Sequence, residues 1–523
     1  MEEKHIQEEK NIGCSKNGGM GEFLMNKWVK LEKRYKLAFF GTFILGMLIH
    51  MYMVTNKLPN HDYVYNIYSD QFYWPLSLGR WFLNYIARLS SNFALPWLNG
   101  LLSILYVSIT AAIIVAVLEL KRTIPILLCG GLLVAYPAFT DTIAYIFTAD
   151  GYMFAMMLAA LSVWFWNKNK RGYIVVSAVC LALSTGIYQA YISFAIILIL
   201  IRIIIDIFEK RYSNKDLLIK IGKACICGLL GMLIYYIGLQ LTLNIYHTEL
   251  AGYMGVNKVS APNIKTIISV LLNDTIALGE MFIGGNSDFS VYEKLNIIFI
   301  LLFIASYIII YFKQKLYHRK LQSILLVVAS LLFIPGAYIL DFLSEEVVYL
   351  FRMQYCLVLT YMLLIKLADE YLMRWLSETV MILMIVIISN FAIIANISYF
   401  NMELCWEQTY ATAIQMQIRI YDLKEYEDGE KIAIIGYLDS DDREWVLNKI
   451  PYILGVSDTN IMKNENSIIS ILNNDFGMKL EPISEEQKAS ILETSEYSSM
   501  PCWPSRESVQ MINDVIVIKL SEE

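Results

Sequence analysis

Long apolar runs and short polar breaks alternate along most of this chain. Eleven runs approach the roughly 20 apolar residues that a bilayer-spanning helix needs. They are 37–54, 96–118, 124–139, 149–166, 173–187, 188–207, 219–244, 293–312, 321–341, 347–366 and 378–399. No charge separates 173–187 from 188–207, only a turn near Gly186. The pattern predicts a polytopic all-α membrane protein with about 11 transmembrane helices. Beyond residue 400 the pattern changes. Residues 406–423 keep helical spacing, but KIAIIGYL from Lys431 and DVIVIKL from Asp514 are short β-branched runs that read as buried strands. Residues 485–492 predict one short helix. The expected organisation is a tail over 1–36, a transmembrane unit over 37–399 and a small α/β domain over 400–523.

Charge sharpens this division. The chain of 523 residues is 57% hydrophobic, above the ~45–50% of ordinary soluble domains. Residues 400–523 hold 23 acids against 10 bases, whereas the remainder is net positive. Lys and Arg concentrate in every second break: the basic tail, Lys121-Arg122, and the segments 168–171, 202–223, 313–320 and 366–374. The intervening loops are poor in both. The excess of Lys and Arg marks the cytoplasmic side. It predicts a cytoplasmic N-terminus, with the loop 55–95 and the C-terminal domain extracytoplasmic. The first 36 residues lack the order of a signal peptide.

Eight cysteines show no zinc-site spacing. Cys405 and Cys502 fall in the polar C-terminal region, where an oxidising compartment permits a disulfide. That bridge is the expectation and two reduced thiols the alternative. The histidines are scattered, and no phosphate-binding GxxxxGK[ST] or hydrolase GxSxG motif occurs.

The candidate chemistry starts in 56–92, which is too polar to span and too apolar for a free linker. Asp62 is followed by Tyr63, Tyr65, Tyr68, Phe72, Tyr73 and Trp74. A carboxylate among such rings either is solvated at the membrane mouth or takes a proton from a substrate hydroxyl as general base. Asp70 has the same setting. Residues 76–89 have the spacing of an interfacial amphipathic helix. Near its start, Arg80 either snorkels to headgroups or clamps a phosphate with its planar fork. Asp141 and Asp150 lie in PAFTDTIAYIFTADGYMF. An acid in a spanning helix costs about 2.5–3.5 kcal/mol on insertion scales and is a functional candidate for that reason. Tyr188 and Gln189 sit in an apolar hairpin, where they join helices or line a ligand cavity. Arg352 needs an anionic partner: an Asp or Glu, with Glu345 and Glu346 close in sequence, a lipid headgroup, or a substrate phosphate.

These segments carry a resemblance. PNHDY (Asp62), SLGRWF (Gly79, Arg80, Trp81), AYPAFTD (Pro137, Asp141), YIFTADGYMF (Tyr145, Phe147, Asp150) and LSTGIYQAYI (Tyr188, Gln189) occur in the order of the serotype-converting, O-antigen-modifying membrane glucosyltransferase family, which the chain resembles over 37–210. The resemblance implies a GT-C-like fold in a bacterial inner membrane. It also implies an extracytoplasmic active site, a polyprenyl-phosphate-linked glucose donor and a cell-surface polysaccharide acceptor. It places the catalytic base on Asp62. Asp70, Arg80, Asp141, Asp150, Tyr188, Gln189 and Arg352 become candidate substrate-binding residues. Two departures stand out. His61 precedes Asp62 where the family often pairs two acids, and Asp150 falls two residues later than the usual Tyr-x-Phe-Asp.

The rival reading is a transporter or flippase of lipid-linked sugars, with polar groups near the bilayer midplane. A third is a component of polysaccharide assembly. The clustering of acids on one face favours chemistry. A divalent metal remains open, without a clear ligand set. No nucleic-acid partner is expected.

Overall fold

The computed structural model describes residues 31–522 apart from 69–71, 169, 171, 259–262, 284–290, 345, 425, 439–443 and 459. It is mainly helical, with one small sheet near the C-terminus. Among the described residues, nine helices are long and apolar enough to cross a membrane. A tenth candidate is the pair Thr123–Ala135 and Pro137–Ala144, bent by 42°. The protein is a multi-pass membrane protein.

Proline sets that bend. Pro137 has no N–H to donate, and its ring pushes the preceding residue out of helical geometry. Tyr136 accordingly adopts φ −57°, ψ 135°. The helix restarts at Pro137 and stops again at Tyr145, with φ −93° and ψ 62°. This short second limb carries Asp141.

Side-chain contacts show which ends share a face. Arg122 pairs with Asp369 at 3.1 Å, Arg211 with Glu119 at 2.6 Å, and Lys220 with Asp206 at 2.5 Å. Lys313 Nζ donates to the Tyr371 carbonyl, and Gln322 Nε2 to that of Tyr212. These groups define the face that carries the basic segments. The loop 55–95 and the sheet lie on the other.

The same contacts bear on which of the helices cross. Ile264–Ile283, which falls in none of the apolar runs, forms a helix long and apolar enough to cross. Asn214–Tyr246 crosses away from Tyr212, and Val291–Lys313 returns to it. A further crossing between them would put Lys313 on the wrong face. Ile264–Ile283 therefore enters the helical layer without traversing it, and packs Phe282 on Phe299 and Tyr361. Conversely, Tyr173–Ile187, with 15 residues, traverses although short, since Tyr188 meets Tyr152 near the far face. The run 321–341 breaks into Lys320–Leu331 and Phe333–Ala337.

The last helix, Arg374–Tyr421, has 48 residues. At 1.5 Å per residue it is about 72 Å long, more than twice a ~30 Å hydrocarbon core. Its far end is a stalk whose Ala413, Met416 and Ile420 pack under the sheet. The strands are β1 Lys431–Ile435, β2 Glu481–Pro482, β3 Val509–Ile512 and β4 Val515–Lys519, in the order β2-β1-β4-β3. β1 is parallel to both neighbours and β3–β4 is a hairpin. Asn513 and Asp514 turn it with φ 50° and 58°, the left-handed pair of a tight hairpin turn. Both β-branched runs are thus strands. Glu485–Leu492 is the short helix expected there, capped by Ser484 and Gln487.

The Cys405–Cys502 disulfide is not formed. Cys405 is buried in the long helix, whereas the segment of Cys502 packs where Trp503 lies over Arg419. Fourteen helical residues separate the two levels, about 21 Å. A disulfide tolerates a Cα separation of only ~4.4–6.8 Å.

Candidate functional site

The turn bearing Asp62 is built on the C-terminal region. Asp62 precedes the short helix Tyr63–Tyr65, and its backbone N–H donates to Asn60 Oδ1 at 3.1 Å. Val64 is buried with the sheet's core, and its carbonyl accepts from Ser470 Oγ at 2.9 Å. Tyr65 donates to Asn464 at 3.0 Å. On this anchored turn the Asp62 carboxylate is 47% exposed. It lies 3.6 Å from His61 Nε2, whose ring is nearly buried.

From His61 a continuous strip of side chains leads across the helices. The Tyr145 hydroxyl lies 3.5 Å from His61 Nε2. The Arg352 guanidinium lies 4.1 Å over the Tyr145 ring. Arg80 follows, 5.0 Å from the centre of the Tyr188 ring and bonded to the Tyr152 hydroxyl at 2.9 Å. Tyr152 and Tyr188 are stacked at 4.2 Å and 8°. Tyr145 and Tyr152 are seven residues apart, two turns of the helix Ile146–Asn167 and its cap, so both face the strip.

The two arginines differ in what they can still do. Arg352 is committed to Asp141, which is fully buried. Asp141 accepts from the Arg352 backbone N–H at 2.9 Å and from its guanidinium at 3.4 Å, and also from the Gly455 N–H at 2.9 Å. Its carboxylate is occupied by protein donors. Glu345 lies outside the described residues, and Glu346 pairs with Lys258 instead. Arg80 has no carboxylate partner among the described residues, and its Nε is buried without a hydrogen bond. It is the cation able to meet an incoming anion.

The loop carrying Arg80 is held from below. Gly79 has φ +77°, and a Cβ there would come within 2.7 Å of Gln189 Nε2. Gln189 donates to the Leu78 carbonyl at 2.7 Å, and Tyr235 donates to that of Gly79. Gln189 thus serves the loop rather than an open cavity. Asp150 lies elsewhere. Two residues before Tyr152, it points about 200° around the helix, and accepts from Asn99 at 3.1 Å. Asp70 lies outside the described residues. No three His, Cys, Asp or Glu side chains gather as a metal site among the described residues.

An apolar cavity of about 510 Å³ opens nearby, lined by Phe282, Phe299, Phe303, Phe333, Leu357 and Leu363. The helical turn Phe351–Leu357 carries Arg352 near its start and Leu357 at its end. Leu357, five residues after Arg352, lines the cavity.

The family model described as glucosyl transferase GtrII matches residues 51–365, more than half of the chain. The chain belongs to this glucosyltransferase family. The match covers Asp62, Arg80, Asp141, Asp150, Tyr188, Gln189 and Arg352, and ends before the stalk and sheet. Neither the curated proteins nor the solved structures yield a match. Sequence reasoning missed Gly455 and Asp458, which reach the strip from beyond the matched region. No local pattern marks them.

Proposed function

We propose that this glucosyltransferase moves a glucosyl group from a polyprenyl-phosphate-linked donor to a cell-surface polysaccharide, on the extracytoplasmic face of a bacterial inner membrane. The observation that carries the reading is the strip from Asp62 to Arg80. It presents an exposed carboxylate at one end and a cation without a carboxylate partner among the described residues at the other.

Each end has a task. The acceptor hydroxyl attacks the donor's anomeric carbon as Asp62 takes its proton. The bond from that carbon to the phosphate oxygen breaks, and its electron pair leaves with the phosphate. Arg80 neutralises the charge that develops there. The isoprenoid tail occupies the apolar cavity beside Phe299 and Phe303. The tyrosine stack supports the sugar. The Lys- and Arg-rich opposite face supports a cytoplasmic N-terminus and an extracytoplasmic sheet region over 400–523. A flippase would place its polar groups at mid-depth. Here they gather at one face.

The donor class is tested in vesicles holding the purified protein, with a surface polysaccharide as acceptor. Radiolabel passes to glycan from polyprenyl-phosphate glucose and not from a nucleotide-linked glucose. Transfer from the nucleotide sugar alone contradicts the reading.

A further inference from the structure

We infer that the C-terminal region completes the active site, with Asp458 as a positioning residue that holds His61 against Asp62. This rests on the reading of Asp62 as the base.

The geometry is an ordered row of three groups. His61 Nε2 lies 3.6 Å from Asp62 Oδ1, and His61 Nδ1 lies 3.6 Å from Asp458 Oδ2. The ring is 11% exposed and Asp458 24%. His61 Nδ1 is buried and has no hydrogen-bond partner. The nearest acceptor described for it is the Asp458 carboxylate, slightly beyond hydrogen-bond length. Catalytic hydrogen bonds are often long without substrate and tighten when it binds. A carboxylate on one imidazole nitrogen fixes which way the other nitrogen points. In the imidazolium form each ring N–H faces one carboxylate, Nδ1–H toward Asp458 and Nε2–H toward Asp62 Oδ1, which leaves the second Asp62 oxygen for the acceptor hydroxyl.

Asp458 is itself held in place. Its backbone N–H bonds to the Leu454 carbonyl, and the short helix Leu454–Ser457 precedes it. Ile453 and Val456 are buried in the same core as the membrane helices. Asn401 on the long helix donates to the Val456 carbonyl at 2.9 Å. Lys463 pairs with Asp458 at 2.5 Å from the solvent side. A segment this firmly seated can orient a side chain 397 residues distant in sequence.

The test is a double-mutant cycle in the vesicle transfer assay, at equal membrane levels. Asp458→Asn lowers kcat about tenfold, a part of the ~10²–10⁴ that a general base supplies, and leaves the donor KM within about twofold. His61→Asn has a similar effect. The double variant is no slower than His61→Asn, because both act through one ring. Asp458→Glu recovers part of the rate. A wild-type rate for Asp458→Asn, or losses that multiply in the double variant, overturns the inference. Asp62→Asn, run alongside, separates the two claims. If it keeps full transfer, the base assignment fails and this inference with it. If it abolishes transfer while Asp458→Asn stays at wild type, only this inference fails.

Discussion

The backbone N–H of Gly455 lies 2.9 Å from Asp141 Oδ1. The bond joins the acidic C-terminal region to a buried carboxylate in the bent helix pair. A Cβ at position 455 would come within 2.7 Å of both Asp141 Oδ1 and the Tyr145 ring. Neither can retreat, since Arg352 holds both. Gly455→Ala therefore costs about 1–3 kcal/mol through overpacking. The expected result is a lower thermal midpoint in detergent together with reduced transfer. An unchanged midpoint would show that the segment is loosely seated.

Removing one member of the Asp141–Arg352 pair should be far worse than rearranging it. Breaking a buried pair leaves one charge uncompensated, at a cost of about 3–5 kcal/mol. Asp141→Asn and Arg352→Gln should each sharply reduce the amount of folded protein in membranes. Fluorescence-detected size exclusion reads this directly. A well-folded but inactive Asp141→Asn protein would instead assign Asp141 to the substrate.

Arg80 should behave in the opposite way. It bonds to Tyr152 and has no carboxylate partner among the described residues. Arg80→Gln should leave the folded amount near wild type and lower kcat/KM for the donor by about 10²–10³, the loss seen when one donor to a developing anion is removed. Arg80→Lys should recover part of it, since it keeps the charge but not the fork. Equal kinetics for Gln and wild type would remove Arg80 from the mechanism.

The cavity makes a separate prediction. Leu278 lines it together with Phe303. Leu278→Trp should fill part of the volume and raise the KM for long-chain donors severalfold, while a short-chain analogue is little affected. Kinetics with donors of two chain lengths check this. Equal effects on both would place the tail elsewhere.

Much of the fold could be read from apolar periodicity, because bilayer-facing helices must be apolar over most of their length. The exceptions have physical causes. Residues 264–283 contain Lys265, Asp274 and Glu280, and these charges disguised a helix that only enters the layer. Falling hydropathy sets the expected end of the last span at 399, but polar residues such as Glu403 and Gln408 are good helix formers and the helix continues. Pro137 was visible, yet its consequence, a limb that buries Asp141, depends on tertiary packing. The candidate site was legible as a set of residue types and not as pairs. Asp141 and Arg352 both stood out, 211 residues apart, and nothing in their surroundings showed that each answers the other. The Cys405–Cys502 expectation failed for a related reason. Residue type and compartment permit a bridge, but a rigid stalk sets the distance.

The central claim is that Asp62 is the base. It is tested most directly by transfer from radiolabelled polyprenyl-phosphate glucose to glycan, in vesicles with wild-type protein or Asp62→Asn at equal level. Asn keeps the size of the side chain and removes its ability to accept a full proton. The account predicts label in glycan with wild type and a loss of about 10²–10⁴ in rate with the variant, with the folded amount unchanged. Equal rates for the two proteins would contradict it.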